Sequence, residues 1–298
     1  MKRIAVLCLL SSMIVISCTS TSKPDLSEEW VQLFNKKDLT GWDIKIAKHE
    51  VNDNFNNTFH VKDSILKIDY SNYQKFDGEF GHLYYKEPFS YYKVRVEYRF
   101  TGKQLEGGPD YAYLNSGVMM HSQSAASLGK DQAFPVSLEM QFLASDTSRK
   151  RTTGNLCTPG TFVSMNDKPV FDHCINSASS NYEADKWISA EVVVYGDSIL
   201  HHIIEGDTVL TYSRPQIGGG FINKIQPWAT FGFGADSADW MKKDGAPLKT
   251  GYIALQAESH PLEFRKVELL NLEGCMDKTA LNYKPYYIKT DNSRCRYK

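Results

Sequence analysis

Four short segments alternate apolar and polar residues, and their polar rows contain side chains that can take up or release a proton. In PVSLEMQFLA (135–144), Leu138 and Phe142 share one face of an extended chain, while Glu139 and Gln141 share the other. NSGVMMH, GYIALQAES and LEFRK divide in the same way, and their polar rows add Asn115, His121, Gln256, Glu258 and Arg265. If these rows meet in one groove, they predict general acid–base chemistry.

The mixture of side chains indicates the kind of ligand. The rows are short of Lys and rich in carboxamides, which suits an uncharged, hydroxyl-rich molecule that needs directional hydrogen bonds. Aromatic rings extend the argument, because Trp228 and Trp240 in QPWATFGFGADSADWMKK are candidate platforms for sugar rings. Each row taken singly also fits a solvated sheet face, so the prediction of a carbohydrate site depends on the four rows together.

Composition and charge narrow the class of protein. The chain has 298 residues, of which 42% are hydrophobic, so it can bury a large core and is not a disordered protein. The formal net charge is -1, and Lys and Arg are scattered, which argues against nucleic acid as a partner. After the N-terminal segment, no apolar run reaches the length of a membrane helix.

The first residues, MKRIAVLCLLSSMIVISC, contain two cations, an apolar run and a cysteine, and polar TSTSKPD follows. This pattern is typical of an export signal, and VISC resembles a bacterial lipobox, in which cleavage precedes a lipidated cysteine. We expect a signal peptide over 1–17, a lipid on Cys18, a flexible tether over 18–28, and a place in the bacterial cell envelope, at its periplasmic or outer-membrane face. An ordinary signal peptide with a chance Cys18 is the alternative.

Four cysteines remain when those of the N-terminal segment are set aside. An even number in an exported chain favours disulfides. Local pairing joins Cys157 to Cys174 and Cys275 to Cys295, because each pair closes a short polar loop. A zinc site is the alternative, but no Cys-x-x-Cys spacing supports it.

Strand signals dominate the rest of the sequence. YYKVRVEYRF (91–100) alternates strictly, and EVVVYGDSILHHIIEGDTVLTY holds three β-rich runs separated by Gly-Asp turns. Helical stretches near 124–130 and 238–243 are only a turn or two long. Many strands spaced by about ten residues predict an all-β sandwich or jelly roll over 29–272. Residues 273–298 are too few for their own core, and we expect a disulfide-stapled tail.

Five segments together resemble one known family. LFNKKDLTGWDI, NSGVMMH, SLEMQFL, the strand entry at Trp187 and GYIALQAESHPLEFRKVEL are similar, in order, to the 3-keto-disaccharide hydrolase domain family, over almost all of 30–272. Lys36 stands where the family usually has Gly, and LQAESHP stands where many members read L-Q-x-H-G. The tail is similar to a C-terminal module of exported Bacteroidetes proteins, of the form G-C-x-D-x-x-A-x-N-Y-x-P.

The resemblance implies a concanavalin-like jelly roll that acts on glycosides whose glucose ring is oxidised at C3. A C3 ketone acidifies the C2 proton, so that a base can remove it and the oxygen at C1 can leave by β-elimination. Water can then add to the resulting enone. The implied enzyme is therefore a hydrolase or lyase whose two steps give net hydrolysis.

Three roles follow for the candidate residues. The base is His121, which titrates near neutrality, or Glu139, whose pKa burial could raise. The proton donor is Glu258, helped or replaced by His260. The other polar residues stabilise the enolate (Arg265 with Gln256 or Gln141) or orient hydroxyl groups and neighbouring side chains (Asn115 and Arg99).

Other functions remain open on the sequence alone. Glu139 and Glu258 also suit classical two-carboxylate glycoside hydrolysis, and the same fold could serve as a non-catalytic lectin or as a scaffold. The sequence predicts no cofactor, and a divalent cation such as calcium is the one candidate. VNDNFNN and TDNS offer oxygen ligands of the kind calcium takes, but neither has a recognisable loop spacing, and surface solvation is the simpler interpretation.

Overall fold

The computed structural model describes residues 27–219 and 237–297. The predicted signal peptide, the lipidation site Cys18, most of the tether and the candidate platform Trp228 lie outside the described residues. The described part consists of two facing antiparallel sheets, with a small tail after the last long strand. The predicted all-β jelly-roll sandwich is therefore confirmed.

The larger sheet has ten strands. In spatial order it contains β11 (Lys168–Val170), β10 (Thr161–Met165), β15 (Asp207–Ile217), β14 (Ile199–Ile204), β13 (Ile188–Tyr195), β6 (Tyr91–Phe100), β17 (Leu262–Asn271), β4 (Ile65–Ile68) and β3 (Phe59–Lys62), and β1 (Val31–Gln32) also pairs with β17. Strictly alternating burial along β6 shows that this sheet has one covered and one wet face.

The smaller sheet has seven strands and is much more buried. Its spatial order is β12 (Cys174–Ile175), β9 (Asn155–Cys157), β8 (Leu138–Leu143), β7 (Asn115–Ser122), β16 (Tyr252–Ala257), β5 (Gly81–Tyr85) and β2 (Trp42–Ile46). All eight residues of β7 are buried, so loops cover much of the face that points away from the core. Such a covered outer face can hold a ligand pocket.

The core lies between the two sheets and uses the apolar rows that strand alternation predicts. Tyr98 of β6 and Phe142 of β8 stack across it, with ring centroids 4.0 Å apart. The same layer contains Leu138 and Met140, both almost completely buried. Because one row of β8 fills the core, its other row must face outward from the seven-stranded sheet.

Helical structure is slight in the described ranges. The one α-helix there, α1, comprises Ser237–Lys242, and single 3₁₀ turns occur at Phe55–Asn57, Asp110–Ala112, Ala125–Ser127 and Asn292–Arg294. None of these elements has the length and apolar character needed to cross a bilayer.

The tail packs on the end of the sandwich. β18 (Glu273–Gly274) pairs in parallel with β19 (Lys289–Thr290), and the Ile288 amide donates to the Leu272 carbonyl at 2.9 Å. Both predicted disulfides are present: one joins Cys275 to Cys295 in the tail, and the other joins Cys157 to Cys174 across β9 and β12.

Candidate active site

The outer face of the seven-stranded sheet brings polar residues of neighbouring strands into line. Glu139 on β8 lies opposite Met119 on β7 and Cys157 on β9. Gln141, two residues further along β8, lies opposite Gly117 and Asn155. These registers put the predicted polar row of β8 at the centre of one concave surface.

A cavity of about 360 Å³ lies over this surface. It takes residues from β7, β8, β9 and β12, from the position directly after β16 and from four connecting segments. Its lining consists of Tyr111, Asn115, Phe134, Glu139, Gln141, Cys157, Pro159, His173, Cys174 and Glu258. Four residues of the predicted site, Asn115, Glu139, Gln141 and Glu258, therefore meet in one cavity.

The two carboxyl groups in the cavity are almost completely buried. Glu139 is 5% exposed and Glu258 is 3% exposed, and each has one carboxyl oxygen that is buried without a hydrogen-bond partner among the described residues. Burial raises the pKa of Glu139 to about 8. Burial, together with the nearby charge of Glu139, raises the pKa of Glu258 well above its ordinary value. Two such carboxyls resist ionising together, so the pair retains a proton at neutral pH.

Gly117 makes the space in which the Glu139 side chain lies. A Cβ atom at position 117 would be 2.6 Å from Glu139 Oε1 and 2.7 Å from its Cγ. Contacts this short are not tolerated, so the absence of a side chain at this position allows Glu139 to lie flat over β7.

Carboxamides surround the carboxyl pair. Asn115 donates from Nδ2 to the Tyr111 carbonyl at 3.0 Å, and its Oδ1 is buried without a partner in the described part of the chain. Gln141 accepts through Oε1 from Asn155 at 3.2 Å. Gln256 lies on β16 opposite His82 of β5 and is almost completely buried, but it does not line the cavity. A polar ligand in the cavity could hydrogen-bond to the unpaired amide oxygen of Asn115.

His121 lies elsewhere, and the expectation that it shares the site is wrong. The register between β7 and β16 shifts here: Met119 pairs with Ala254 and Ser122 pairs with Tyr252, so β7 contains an extra residue. This β-bulge, with φ of 49° at His121, turns the ring inward between the sheets. Its Nε2 lies 3.0 Å from the Gly196 carbonyl, and burial lowers its pKa to about 4.

Arg265 and Arg99 are also remote from the cavity, so their predicted roles at the site are wrong. Both belong to the ten-stranded sheet, where their guanidinium groups each lie 4.7 Å from the Trp187 ring centroid. Arg265 pairs with Glu97, and Arg99 pairs with Glu263. They therefore stabilise the wet outer face of the other sheet.

Two more predicted residues, His260 and Trp240, fall outside the cavity lining. His260 packs between Phe100 and Tyr113, with ring centroids 5.8 and 5.5 Å away, and burial, reinforced by Arg151, lowers its pKa to about 4. Trp240 lies on α1, where Lys243 is 4.4 Å from its ring. Neither residue lines the cavity.

Metal-ligating side chains gather at one place in the described residues. Ligand atoms of Cys157, His173 and Cys174 lie within 4.8 Å of one another. The two sulfur atoms are bonded to each other, however, and so cannot act as thiolate ligands. In the proposed calcium segments, side-chain oxygens are used locally: Asn52 accepts from the Ile44 amide, and Asp291 accepts from Ser293.

Sequence reasoning missed the cavity wall opposite the carboxyl pair. Phe134, Pro159 and His173 lie in loops, and Tyr111 lies in the 3₁₀ turn before β7. Strand alternation does not predict where such connecting segments lie over a sheet. The disulfide was expected as a staple but not as part of a site. Only the pairing register of β8 with β9 could have suggested that the disulfide borders the site, because it puts Cys157 opposite Glu139.

A match to a family model agrees with a glycoside-related function. Residues 29–270 match the family of 3-keto-alpha-glucoside-1,2-lyase-like domains. None of the curated proteins matches the chain. Among solved structures, the chain is similar to a candidate glycosyl hydrolase from Parabacteroides distasonis (14% identity, 82% of this chain and 100% of that chain, TM-score 0.47). It is also similar to the carbohydrate-binding module CBM66 from Bacillus subtilis (10% identity, 78% of this chain and 96% of that chain, TM-score 0.43). A Bacillus subtilis protein with a galectin-like fold is similar as well (13% identity, 84% of this chain and 97% of that chain, TM-score 0.46).

Proposed function

Because the chain belongs to the family of 3-keto-alpha-glucoside-1,2-lyase-like domains, we propose that it cleaves the glycosidic bond of 3-keto-glucosides, including 3-keto-disaccharides, by elimination. The observation that carries the proposal is the pair of buried carboxyl groups, Glu139 and Glu258, in one cavity. Their raised pKa values let one group act as a base while the other still holds a proton.

We assign the role of base to Glu139, which lies between β7 and β9 at the centre of the concave surface, and the role of acid to Glu258. Its carboxylate takes the C2 proton, and the electron pair left at C2 is delocalised onto the C3 oxygen as an enolate. The enolate then forms a C1–C2 double bond and breaks the C1–O bond. The leaving oxygen takes the proton of the Glu258 carboxyl. Water adds to the enone in a second step, which gives net hydrolysis.

Neutral amides, rather than an arginine, stabilise the enolate in this scheme. Gln141 Oε1 is already engaged by Asn155, whereas its Nε2 makes no hydrogen bond within the described residues. Asn115 lies in the same lining and orients hydroxyl groups through its open Oδ1. Such preorganised donors and acceptors favour a charge that develops only in the transition state.

Two-carboxylate hydrolysis of an unoxidised glycoside is the second candidate. The same pair of buried carboxyls favours it, because one protonated and one ionised carboxyl are what that mechanism needs. The two reactions differ in their substrate: elimination requires the C3 ketone, and two-carboxylate hydrolysis does not.

The test compares a 3-keto-glucoside with its unoxidised parent. We expect turnover of the 3-keto-glucoside alone, with an enone detected by its ultraviolet absorbance. Glu139→Gln and Glu258→Gln should each lower kcat by about 10²–10⁴-fold while substrate binding is retained, and the exposed Glu87→Gln serves as the control. Equal cleavage of the parent glucoside would favour two-carboxylate hydrolysis. Binding without turnover of either substrate would favour a lectin.

We also propose that the protein meets its substrate in the bacterial cell envelope, anchored through a lipid on Cys18. The lipobox-like VISC supports this proposal. Metabolic labelling with a fatty acid tests it: label should enter the wild-type chain and be lost in Cys18→Ala.

A further inference from the structure

The cavity has two chemically different halves. Asn115, Glu139 and Gln141 come from β7 and β8 in the middle of the seven-stranded sheet, and Glu258 directly follows the neighbouring β16. The rest of the lining comes from the edge strand β12, from its neighbour β9 and from the connecting segments, and it consists of Tyr111, Phe134, Cys157, Pro159, His173 and Cys174. No side chain in this second set carries a formal charge at neutral pH, since burial lowers the pKa of His173 below its ordinary value.

The disulfide lies next to the proposed base. Cys157 is the register partner of Glu139, and Cys174 is the register partner of Cys157 on the edge strand β12. Cys157 is buried, whereas Cys174 is exposed. The bonded sulfurs thus form a fixed, weakly polar wall one strand away from the reacting groups.

Aromatic rings complete this half. Phe134 is held by Phe80, with ring centroids 4.9 Å apart, and Tyr111 is held through its carbonyl by Asn115. Tyr111 is 59% exposed, so much of its ring is open to solvent although the residue lines the cavity. Pro159 has no amide hydrogen to offer a ligand.

We infer that this half of the cavity is a subsite for the leaving group, and that it takes an alcohol bearing a compact apolar ring in preference to a second sugar. The inference rests on the proposed function. The oxidised glucose ring needs the carboxyl and amide groups of the other half, so the leaving group must lie against the disulfide, Phe134 and Tyr111. A sugar there would lose water from its hydroxyl groups and meet only the Tyr111 hydroxyl and the His173 ring as polar side chains, so most of its hydroxyl groups would stay unpaired at a cost.

The size of the cavity agrees with this division. Its volume of about 360 Å³ lies near the lower end of the range for ligand pockets. It leaves room for one sugar ring and one compact group. A longer oligosaccharide would have to extend past Tyr111 into solvent.

Two 3-keto-glucosides with primary-alcohol leaving groups provide the test, because matched leaving groups remove differences in bond strength. One carries a cyclohexylmethyl group, and the other carries glucose linked through its O6. We expect kcat/KM to be at least tenfold higher for the cyclohexylmethyl compound, since two buried methylene groups already supply about that factor. Equal values for the two compounds, or a preference for the glucosyl compound, would overturn the inference.

Variants of the rings show whether this half of the cavity is responsible. Tyr111→Ser and Phe134→Ser should each bring the ratio of the two kcat/KM values closer to one, mainly through KM for the cyclohexylmethyl compound. Tyr297→Ser is the matched control, because Tyr297 is also 59% exposed but lies in the tail; it should leave the ratio unchanged. An unchanged ratio in both cavity variants would count against the subsite.

Failure of this inference and failure of the proposed function give different results. If neither compound is turned over, the elimination proposal fails, and binding of the unreactive parent glucosides decides the subsite separately. Tighter binding of cyclohexylmethyl glucoside than of the disaccharide, lost in Tyr111→Ser, supports the subsite. Equal binding refutes it.

Discussion

At the scale of single residues, the shared burial of Glu139 and Glu258 determines how activity depends on pH. The base must be ionised, and burial raises the pKa of Glu139 to about 8, so kcat/KM should rise as the pH increases through about 8. It should fall again at higher pH, where Glu258 loses its proton. A pH–rate profile from 4 to 10 checks this. A rising limb near 4.5 would instead indicate a base with the ordinary carboxyl pKa, and would contradict the raised pKa of buried Glu139.

The same shift predicts how stability depends on pH. Between the ordinary carboxyl value of 4.5 and about 8, folded Glu139 holds a proton that the unfolded chain has released. Protein stability therefore falls as the pH rises through this window, and the loss is complete above about 8. Glu139→Gln should be more stable than the wild type at pH 8 by about 1 kcal/mol or more, and nearly equal to it at pH 4.5.

Urea unfolding at the two pH values measures this difference. Glu87→Gln is the control, because Glu87 is exposed and its replacement should follow the wild type at both pH values. Equal stabilities of Glu139→Gln and wild type at pH 8 would show that Glu139 is hydrated and ionised in the folded protein.

At the scale of strands, alternation predicts which side chains point away from the core, but not on which of the two outer faces they lie. The outward rows of β8 and β17 look alike in sequence, yet Glu139 reaches the cavity and Arg265 reaches the far side of the molecule. A sandwich has two outer faces, and strand order decides between them. Strict alternation also fails to predict the bulge at His121, because the one extra residue in β7 reverses the face of the sheet toward which the next side chain points.

Strand geometry makes the activity sensitive to substitution at Gly117, which lies beside Glu139. Gly117→Ala places a methyl group 2.6 Å from Glu139 Oε1, so the carboxyl must move. A displacement of about 1 Å can cost about 10²-fold in rate, and we expect a loss of kcat of at least tenfold in a folded protein. Gly81→Ala on β5 is the control, since its methyl group would meet a movable Ile46 side chain at 3.1 Å. Kinetics and circular dichroism of both variants check the prediction; full activity of Gly117→Ala would contradict the described position of Glu139.

A turn before β2 retains avoidable strain. Lys36, which stands where the family usually has Gly, has φ of 64°, in the left-handed region that costs a residue with a Cβ atom roughly 1–2 kcal/mol. Lys36→Gly should raise stability by about 0.5–1 kcal/mol after the greater chain entropy of Gly is subtracted. Lys37→Gly, at a position without positive φ, should not stabilise the protein. Thermal unfolding of the two variants decides between relief of strain and a general effect of charge removal.

At the scale of the whole molecule, the two disulfides close loops of similar length but lie in different places. They span 17 and 20 residues, so in the chain-entropy model each contributes about 3 kcal/mol by restricting the unfolded chain. Cys157–Cys174 belongs to the cavity wall, whereas Cys275–Cys295 staples the tail. The sequence alone predicts both pairings, because the loops are local, but only the folded register shows that one of them borders the proposed base.

Removing each disulfide should therefore separate stability from function. Cys157→Ser with Cys174→Ser should destabilise the sandwich and also raise KM, because the wall beside Glu139 loses its fixed position. Cys275→Ser with Cys295→Ser should loosen the tail, with faster amide exchange over 275–295, and leave kcat and KM unchanged. Denaturation, hydrogen exchange and steady-state kinetics on the two double variants measure these effects. If both variants retained wild-type kinetics, the disulfide wall would have no part in binding; if both lost activity, the tail would be coupled to the site through the sandwich itself.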